Sequence, residues 1–502
     1  MNTPPTSCDV VVIGGGIGGL TCASYLAKAG AHVVLVEKHY VVGGYCSSFR
    51  RGPYYFDAAA HSLGSCRPDG QLGQLIADHQ LGDALRLIRS DPSDVVVTRS
   101  HEVFFFNDVR RTIQSLQEAF PEEAGAIERF VDYLASADSL RLYGELRQRT
   151  FADLLRSVFR SRELQSVFSI VLGNVGLPSS RVSALTAAFL YREFMFDGGY
   201  YPSGGIQRFP DALLDRFQEY GGTACLLSPV EEILVTPAGG VQGVVVKYRG
   251  RQRVTIASRA VVANCDPHQV YGTLLRRTEA GPGAAMLGRF DHTISAFMVH
   301  LGLNHEIAQE AKYHCNIWSY RRDGHVDDYY EGVLRGEIDY GADTFLFCRV
   351  PSFDDRTLAP PGRHAVQAIV MAPFLDRARW DTMKDELASD VIGRIEQYIP
   401  GLRRWIEVRQ VATPSTLFKY TWNYHGAMYG WASTCEQIGP GRLEEALAVD
   451  GLYLVGHWTG RPAGYSGIST VVASGRYVAR RVLRALRPAS VSVESGAAGV
   501  PA

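Results

Sequence analysis

Three glycines near the N-terminus have the spacing of a phosphate-binding turn. Gly14, Gly16 and Gly19 follow a β-branched run at residues 10–13 in a G-x-G-x-x-G pattern. In such a turn the first glycine permits a tight bend, the second admits a pyrophosphate to the backbone, and the third lets a helix pack on the strand. The phosphates then lie on free N–H groups at the helix N-terminus. The stretch therefore predicts a bound dinucleotide.

An acidic residue follows at the distance expected for ribose recognition. Residues 20–29 predict a helix that Gly30 ends, and residues 31–36 predict a second strand. That strand leads into Glu37, whose carboxylate can accept hydrogen bonds from an adenosine ribose and would repel a 2′-phosphate. A glycine-rich turn without a ligand is the alternative, but strand, turn, helix, strand and acid in sequence disfavour it.

A second glycine-rich loop comes directly after the nucleotide motif. Gly43 and Gly44 lie close to two serines, and such a polar loop can wrap around phosphate or ribityl oxygens, although a plain surface turn is the alternative. The small residues 58–60 would let a flat ring approach the backbone. His61 follows them, and it is a candidate either for proton transfer beside that ring or for a hydrogen-bonded structural role.

The composition is that of an ordinary globular protein. The 502 residues are 46% hydrophobic and 21% charged, with a net charge of -1 and no long basic run, so nucleic-acid binding is not expected. Nine cysteines without C-x-x-C spacing favour a reducing, cytoplasmic setting over a zinc site or a disulfide framework. The N-terminus lacks a secretory signal pattern, and no apolar run reaches the length of about 18 residues that a membrane span needs.

Residues 71–191 change to a helical period, with apolar side chains three and four positions apart, and predict an inserted helical region. Within it, residues 94–106 predict two strands of a separate sheet. Residues 151–159 combine an apolar face with flanking arginines. That pattern is compatible with a peripheral membrane helix, but a helix packed on the core with a solvated basic face explains it more simply.

The remaining chain alternates strands with glycine-rich turns. Strand patterns occupy residues 223–235, 241–248, 253–264, 294–302, 344–350 and 364–372. A helix is predicted at residues 381–399, and residues 451–475 predict a buried strand, a glycine-rich loop and a helix start. The small, polar residues after about Leu486 predict a disordered tail.

Nucleotide-binding elements at both ends, separated by long insertions, are typical of flavoproteins in which both ends hold one FAD. Four stretches make the pattern specific: DVVVIGGGIGGLTCASYLAKAG, YPSGGIQRFPDAL, AVVANCDPHQVY and GLYLVGHWTGRPAGYSGISTVVASGR. Together they resemble the phytoene desaturase and carotenoid isomerase group of FAD-dependent oxidoreductases, in the amine-oxidase-like superfamily. The resemblance is weak through residues 71–191 and 290–414, which would form the substrate cavity.

This resemblance implies FAD as the cofactor and assigns residues to it. The helix that begins at Gly467 and Ile468 would direct its positive end at the flavin pyrimidine ring and favour the anionic reduced flavin. His457 replaces an acid that many relatives use to bind the ribityl chain. The full predicted cofactor set is Gly14, Gly16, Gly18, Gly19, Glu37, Lys38, Gly43, Gly44, Ala60, Val230, Gly456, His457, Gly467 and Ile468.

The catalytic residues are less clearly marked. No Ser–His–Asp spacing, metal-ligand cluster or paired-carboxylate motif is apparent, so an enzyme with this sequence would rely on its cofactor for the redox step. Candidates for proton transfer are His61, together with Tyr424 and His425 in TWNYHGAMYGW, because similar family segments line the flavin face. For Tyr424 and His425 the alternative is a cavity wall without proton transfer.

These features predict an α/β fold with a discontinuous, Rossmann-like FAD-binding domain and an inserted substrate domain of mixed sheet and helices. The FAD-binding domain would comprise residues 1–70, 195–287 and 436–486, the substrate domain residues 71–194 and 288–435, and the tail residues 487–502. A cytoplasmic protein is expected, with peripheral membrane contact as an open alternative.

The predicted activity is an FAD-dependent desaturase or dehydrogenase that forms C=C bonds in an apolar, polyene or isoprenoid-like small molecule. Redox-neutral isomerisation or saturation of such bonds and oxidation of an amine C–N bond are alternative activities. Non-catalytic prenyl binding on the same fold is a further alternative, which the intact glycine elements disfavour.

Overall fold

The computed structural model describes residues 4–275, 286–438, 449–459 and 467–486. The strands of this part of the chain are β1 (Ser7–Ile13), β2 (Val33–Val36), β3 (Ser48–Arg51), β4 (Tyr54–Asp57), β5 (Leu87–Arg89), β6 (Asp94–Val97), β7 (Glu102–Phe105), β8 (Tyr200–Pro202), β9 (Thr223–Cys225), β10 (Val230–Val235), β11 (Val241–Tyr248), β12 (Gln252–Ala263), β13 (Ser295–Leu303), β14 (Asn316–Ser319), β15 (Leu346–Arg349), β16 (His364–Ala372), β17 (Ile406–Ala412) and β18 (Leu452–Leu454).

The α-helices of the same residues are α1 (Ile17–Lys28), α2 (Gln71–Asp78), α3 (Val109–Ala119), α4 (Ala124–Ser136), α5 (Ser139–Leu146), α6 (Phe151–Val158), α7 (Arg162–Ile170), α8 (Ala184–Leu190), α9 (Arg208–Glu219), α10 (Pro267–Gln269), α11 (Asp327–Leu334), α12 (Pro351–Asp354), α13 (Arg377–Glu396), α14 (Pro414–Thr421) and α15 (Ile468–Leu486).

The first sheet carries the nucleotide motif. Its strand order is β10-β11-β12-β1-β2-β9, and β18 also pairs with β12. β1 pairs in parallel with both β2 and β12, so the glycine turn that follows it lies at the carboxyl edge between two parallel neighbours. In α/β sheets this edge is where ligands bind. Residues 10–13 are buried, as expected for a central parallel strand.

The second sheet has the order β17-β13-β16-β15-β14-β6-β7. Residues 94–106 form its strands β6 and β7, which confirms the predicted separate sheet. Side chains alternate along its strands, so Met298 and Phe347 pack with the helices of residues 109–195, while Phe297 and Leu346 pack against α13. The sheet is therefore covered by helices on both faces.

The sequence missed or misplaced several elements. β14 and β17 were not predicted: β14 has only four residues, whereas the partial alternation of β17 is a weak signal of an edge strand that the prediction missed. Residues 223–235 form two strands rather than one, with a left-handed Leu227 between them. The helix predicted at 381–399 is α13, which begins earlier because the Asp376 carboxylate accepts a hydrogen bond from the Arg379 N–H.

All strands of the first sheet fall in the ranges predicted for the FAD-binding domain, and all strands of the second in those predicted for the substrate domain. The α/β fold class is thereby confirmed. The domain bounds themselves stay a prediction, and the tail at 487–502 lies outside the described residues.

The arginine-flanked helix is part of the core. Phe151, Leu154 and Leu155 of α6 are buried, and so is Phe159 after it, whereas Arg156 faces solvent. Of the two alternatives for residues 151–159, a membrane helix or a helix packed on the core, the structure shows the packed helix. Among the described helices, none combines the length and apolarity needed to cross a bilayer.

Among the contacts that hold the hairpin of β3 and β4 against the second sheet, one is especially close. A Cβ at Gly302 in β13 would lie 2.6 Å from the ring of Tyr54, which is fully buried. Since the hairpin carries residues that border the site described below, this contact fixes part of that site.

We expect Gly302→Ala to destabilise the protein by about 1–3 kcal/mol, because the added methyl overpacks a fixed ring. Thermal unfolding of the purified protein measures the change. Gly82→Ala is the control, since a Cβ there meets nothing within 4 Å and should shift stability by no more than about 0.5 kcal/mol. An equal midpoint for G302A and wild type would mean that Tyr54 moves aside freely.

Candidate active site

A cavity of about 1060 Å³ is lined by residues of both sheets. Its wall includes the carboxyl ends of β1, β2 and β12 in the first sheet. On the other side it includes inward-facing residues of β13, β14, β15 and β16 in the second. One continuous space therefore joins the predicted nucleotide site to the predicted substrate region.

Glycines from both ends of the chain pack around one amide, that of Asn264. A Cβ on Gly16 would lie 2.8 Å from Asn264 Nδ2, and a Cβ on Gly18 or Gly456 would lie 2.7 or 2.5 Å from Asn264 Oδ1. The same Nδ2 donates to the Gly14 carbonyl at 3.3 Å. A Cβ at any of these places would push the Asn264 amide out of position, so the turn after β1 and the segment after β18 close on the end of β12.

Asn264 belongs to the motif AVVANCDPHQVY, and no role for it was predicted. Its position was the available signal, because a polar residue directly after a buried parallel strand points into the carboxyl-edge crevice. Gly19, predicted with the cofactor residues, does not line the cavity. A Cβ there would lie 2.2 Å from the Gly14 carbonyl oxygen, so Gly19 serves helix packing.

Glu37 holds the nucleotide turn in shape. Its Oε2 accepts from the Gly15 N–H and its Oε1 from the His39 N–H, both at 2.7 Å. Each oxygen keeps a lone pair for a further donor such as a ribose hydroxyl. The neighbouring Lys38 also lines the cavity, with its Nζ 4.4 Å from the ring centroid of Trp422. Burial lowers the pKa of Lys38.

The second glycine loop closes on the first. Gly43 and Gly44 have φ values of 116° and 60°, in the left-handed region that favours glycine. The Gly43 N–H donates to the Gly15 carbonyl at 2.8 Å. Both glycines line the cavity, so the loop is part of its wall, as predicted.

The buried carboxylate of Asp57 links the sequence motif that contains YPSGGIQ to this cavity wall. Asp57, at the end of β4, accepts from Ser48 Oγ at 2.8 Å, from Tyr201 Oη at 2.6 Å and from the Ile206 N–H at 3.0 Å. Burial raises the pKa of Asp57, and these three donors partly offset that effect. The stretch YPSGGIQ thus fixes the hairpin that supplies cavity residues 58–61.

The C-terminal element, made of β18, the segment after it and α15, brings a helix end and an imidazole to the cavity. Gly467 and Ile468 line it, so the positive end of α15 faces the interior. His457 is neutral at physiological pH, because burial lowers its pKa to about 4. Asn423 Nδ2 lies 3.4 Å from His457 Nε2, which leaves Nδ1 as the N–H donor. Residues 460–466, which contain most of the predicted glycine-rich loop, lie outside the described residues.

Except for Gly19, every predicted cofactor residue lines the cavity. They are Gly14, Gly16, Gly18, Glu37, Lys38, Gly43, Gly44, Ala60, Val230, Gly456, His457, Gly467 and Ile468. On the cavity side of the turn the backbone is open, since a Cβ on Gly16 would meet only Asn264 within 4 Å. The arrangement fits an extended dinucleotide.

His61 reaches the cavity wall but has both ring nitrogens engaged. Nδ1 lies 2.9 Å from Ser62 Oγ, and Nε2 lies 3.2 Å from Asn174 Oδ1. Burial, reinforced by the nearby Arg349 charge, lowers the pKa of His61 to about 3. A histidine so placed is neutral and weakly basic, which favours the structural role over that of a general base.

Tyr424 and His425 are not among the residues that line the cavity, and their catalytic role stays a prediction. The Tyr424 ring stacks between His268 at 4.0 Å and His425 at 3.9 Å. His425 Nδ1 lies 3.0 Å from His292 Nε2. His425 has a left-handed backbone, with φ of 51°, and its ring also stacks on Phe374 at 4.9 Å.

The part of the cavity over the second sheet is apolar. Strand-like periodicity was the only sequence signal for its wall, because these residues lie on five separate elements. Its wall side chains include Phe194, Met298, Trp318, Phe347, Ile369 and Met371.

We expect Gly16→Val to abolish FAD binding, because a branched side chain would fill the open side of the turn. Flavin absorbance of the purified protein, relative to its protein absorbance, measures the cofactor. Gly30→Ala is the control: Gly30 has φ of 88° and open space around it, so the change strains the backbone without touching the cavity. Full cofactor content in G16V would contradict the assignment.

Comparisons with known proteins agree with this geometry. The model of the family described as flavin containing amine oxidoreductase matches residues 17–483. The all-trans-retinol 13,14-reductase of Rattus norvegicus is 25% identical over 513 residues, covering 90% of this chain and 82% of its own. The phytoene desaturase (lycopene-forming) of Pantoea ananas is 26% identical over 487 residues, covering 91% and 96%.

The fold also matches solved structures. An oxidoreductase from Methanosarcina mazei superimposes with a TM-score of 0.67 at 17% identity, covering 94% of this chain and 100% of its own. The family match includes the helix after the glycine turn and the closing helix α15, which contribute to one cavity. The chain therefore belongs to the flavin containing amine oxidoreductase family, and its cofactor is FAD.

Proposed function

We propose that this FAD-dependent oxidoreductase forms C=C bonds in an apolar, polyene or isoprenoid-like substrate. The observation that carries the proposal is the distribution of charge in the cavity wall. Its acidic residues among those described are Glu37 and Glu231, both on the side of the first sheet. The wall over the second sheet has methionine and aromatic side chains and no carboxylate to pair with an amine cation.

The relatives support the same substrate class. The names of the two similar enzymes specify retinol and phytoene, which are both isoprenoids. One relative is named a reductase and the other a desaturase, so the names do not fix the direction of the redox step. Formation of a C=C bond is part of the proposal, and saturation or isomerisation of such a bond are the alternative activities.

In this proposal bound FAD would accept a hydride from a substrate C–H bond. Met298, Met371 and Trp318 bind the carbon skeleton and exclude water from it. The positive end of α15 stabilises negative charge that develops at the cavity edge it faces. Burial keeps His61, His300 and His457 neutral, with pKa values lowered to about 3, 4 and 4. These imidazoles are therefore weak bases, and the proton of the reaction leaves to bulk solvent at the cavity mouth rather than staying on one of them.

We expect His61→Gln to keep bound FAD and to change the single-turnover rate of flavin reduction by a modest factor. A general base typically contributes about 10²–10⁴-fold. A group with a pKa near 3 is already deprotonated between pH 5 and 9, so no ionisation of His61 should shape the rate in that range. Stopped-flow reduction by a polyene substrate at several pH values measures both quantities.

The result would identify His61 as the general base if H61Q reduced its flavin a hundredfold or more slowly and lost an ionisation seen in the wild-type pH profile. Wild-type flavin that stays oxidised throughout turnover would instead favour isomerisation.

We also propose that the cavity mouth contacts an anionic membrane surface. Tyr40, Phe418, Tyr420 and Trp422, here called the aromatic rim, line the cavity and are between 38% and 57% exposed. Lys419 Nζ lies 5.6 Å from the Tyr420 ring centroid, and Lys38 lies over Trp422. Exposed tyrosine and tryptophan beside lysine are typical of the membrane interface, where an apolar substrate would be dissolved.

We expect the double variant Phe418→Ser, Tyr420→Ser to bind vesicles containing phosphatidylserine about tenfold or more weakly than wild type, because two apolar side chains no longer insert. Vesicle sedimentation measures the bound fraction, and flavin absorbance confirms that the cofactor is retained. Leu140→Ser is the matched control, since Leu140 is 84% exposed and does not line the cavity. Equal binding by all three proteins would refute the rim as the contact.

A further inference from the structure

A relay of buried polar side chains ends at the cavity wall in a donor without a partner. Its members are Arg349, Ser62, His61 and Asn174, joined by contacts of 3.0, 2.9 and 3.2 Å in that order. The Nδ2 of Asn174 is buried and has no hydrogen-bond partner among the described residues. Asn174 is 6% exposed and lines the cavity.

The first member fixes the direction of the relay. The Arg349 guanidinium donates to Ser62 Oγ, to the His61 carbonyl and to Asp354. Because arginine can only donate, Ser62 Oγ must accept from it. Within the described part of the chain, the remaining polar atom in reach of the Ser62 hydroxyl hydrogen is His61 Nδ1.

The tautomer of His61 and the orientation of Asn174 follow. When Nδ1 accepts from Ser62, the neutral imidazole carries its hydrogen on Nε2 and donates to Asn174 Oδ1. The amide oxygen is thereby engaged, and both hydrogens of Nδ2 are left over. Burial of an unpaired amide donor is unfavourable, so such a group in a ligand cavity indicates a ligand acceptor.

Packing holds this amide in place. Asn174 ends the 3₁₀ turn Val171–Asn174, and a Cβ on the preceding Gly173 would lie 3.0 Å from the rings of Trp318 and Phe345. Gly173 therefore lets the turn lie directly on the aromatic wall. Asn174 cannot turn away without opening the relay, so its donor is preorganised within the apolar part of the cavity.

We propose that Asn174 Nδ2 donates a hydrogen bond to an oxygen of the substrate, which is therefore an oxygenated isoprenoid or polyene rather than a pure hydrocarbon. A neutral hydroxyl, aldehyde or ketone fits better than a carboxylate, since Asp354 already pairs with the Arg349 charge at 2.6 Å. The inference rests on the proposed function and narrows its substrate class.

The test compares binding of matched polyenes to the oxidised holoenzyme, followed by the shift in flavin absorbance. One skeleton is used as the parent hydrocarbon and as derivatives with a terminal hydroxyl, a terminal aldehyde or a ring ketone. We expect wild type to bind at least one derivative about tenfold or more tightly than the hydrocarbon, because a site built to donate discriminates against a ligand that cannot accept.

Asn174→Leu should abolish this preference and leave the hydrocarbon affinity within about threefold, since the variant keeps the number and branching of side-chain heavy atoms and loses the donor. Asn174→Asp, which is nearly isosteric, should also abolish it and covers the case in which the leucine variant does not fold. Thr186→Val is the control: its buried hydroxyl likewise has no partner among the described residues but does not line the cavity. That variant should keep the wild-type preference.

Four results would overturn the inference. Wild type that binds the hydrocarbon and its derivatives equally would overturn it while leaving the proposed polyene substrate in place, and so would an unchanged preference in both Asn174 variants. A variant that alters the flavin spectrum or FAD content without altering the preference would assign the amide to the cofactor. Absence of binding by every polyene would refute the proposed function and this inference with it.

Discussion

The fold depends on close backbone packing around Asn264. Gly14 from the start of the chain lies against the Asn264 backbone carbonyl, and Gly18 and Gly456 lie against its side-chain amide, so closely that a Cβ on any of the three would come within 3 Å of Asn264. Through this contact, residues more than 400 positions apart in the chain form one wall of the cavity. Long insertions between these ends are tolerated because each leaves the first sheet and returns to it, one between β2 and β9 and the other between β12 and β18. The cofactor site is thus assembled by packing as much as by any residue that would touch FAD.

Polar and apolar chemistry are divided between the two sheets. The carboxyl edge of the first sheet supplies backbone N–H groups, a carboxylate and a helix end, which suit a dinucleotide. The second sheet contributes methionine and aromatic side chains. Buried groups along the boundary are kept neutral by desolvation, and His61, His300 and His457 have pKa values of about 3 to 4. Such a boundary can orient a substrate through hydrogen bonds without presenting a charge to it.

Amphipathic sequence alone was a poor guide to the exposed apolar surface. The arginine-flanked α6 has the pattern of a membrane helix, yet its apolar face packs against neighbouring helices. The exposed aromatic rim comes instead from Tyr40 and from the end of α14, where no clear apolar period marks it. A helical period records that one face is apolar, but the surrounding elements decide whether that face meets protein or solvent.

The sequence by itself determined the nucleotide turn, the parallel strands around it, Glu37, the closing helix and the family, because these depend on local backbone requirements and on short motifs. The two sheets followed largely from the periodicity of their strands. Only the tertiary structure placed Asn264 among the glycines, left Tyr424 and His425 out of the cavity lining, and joined Arg349, Ser62, His61 and Asn174. Those arrangements bring together residues as far apart in the chain as Gly18 and Gly456, and spacing along a chain carries no information on contacts that form only when separate elements pack.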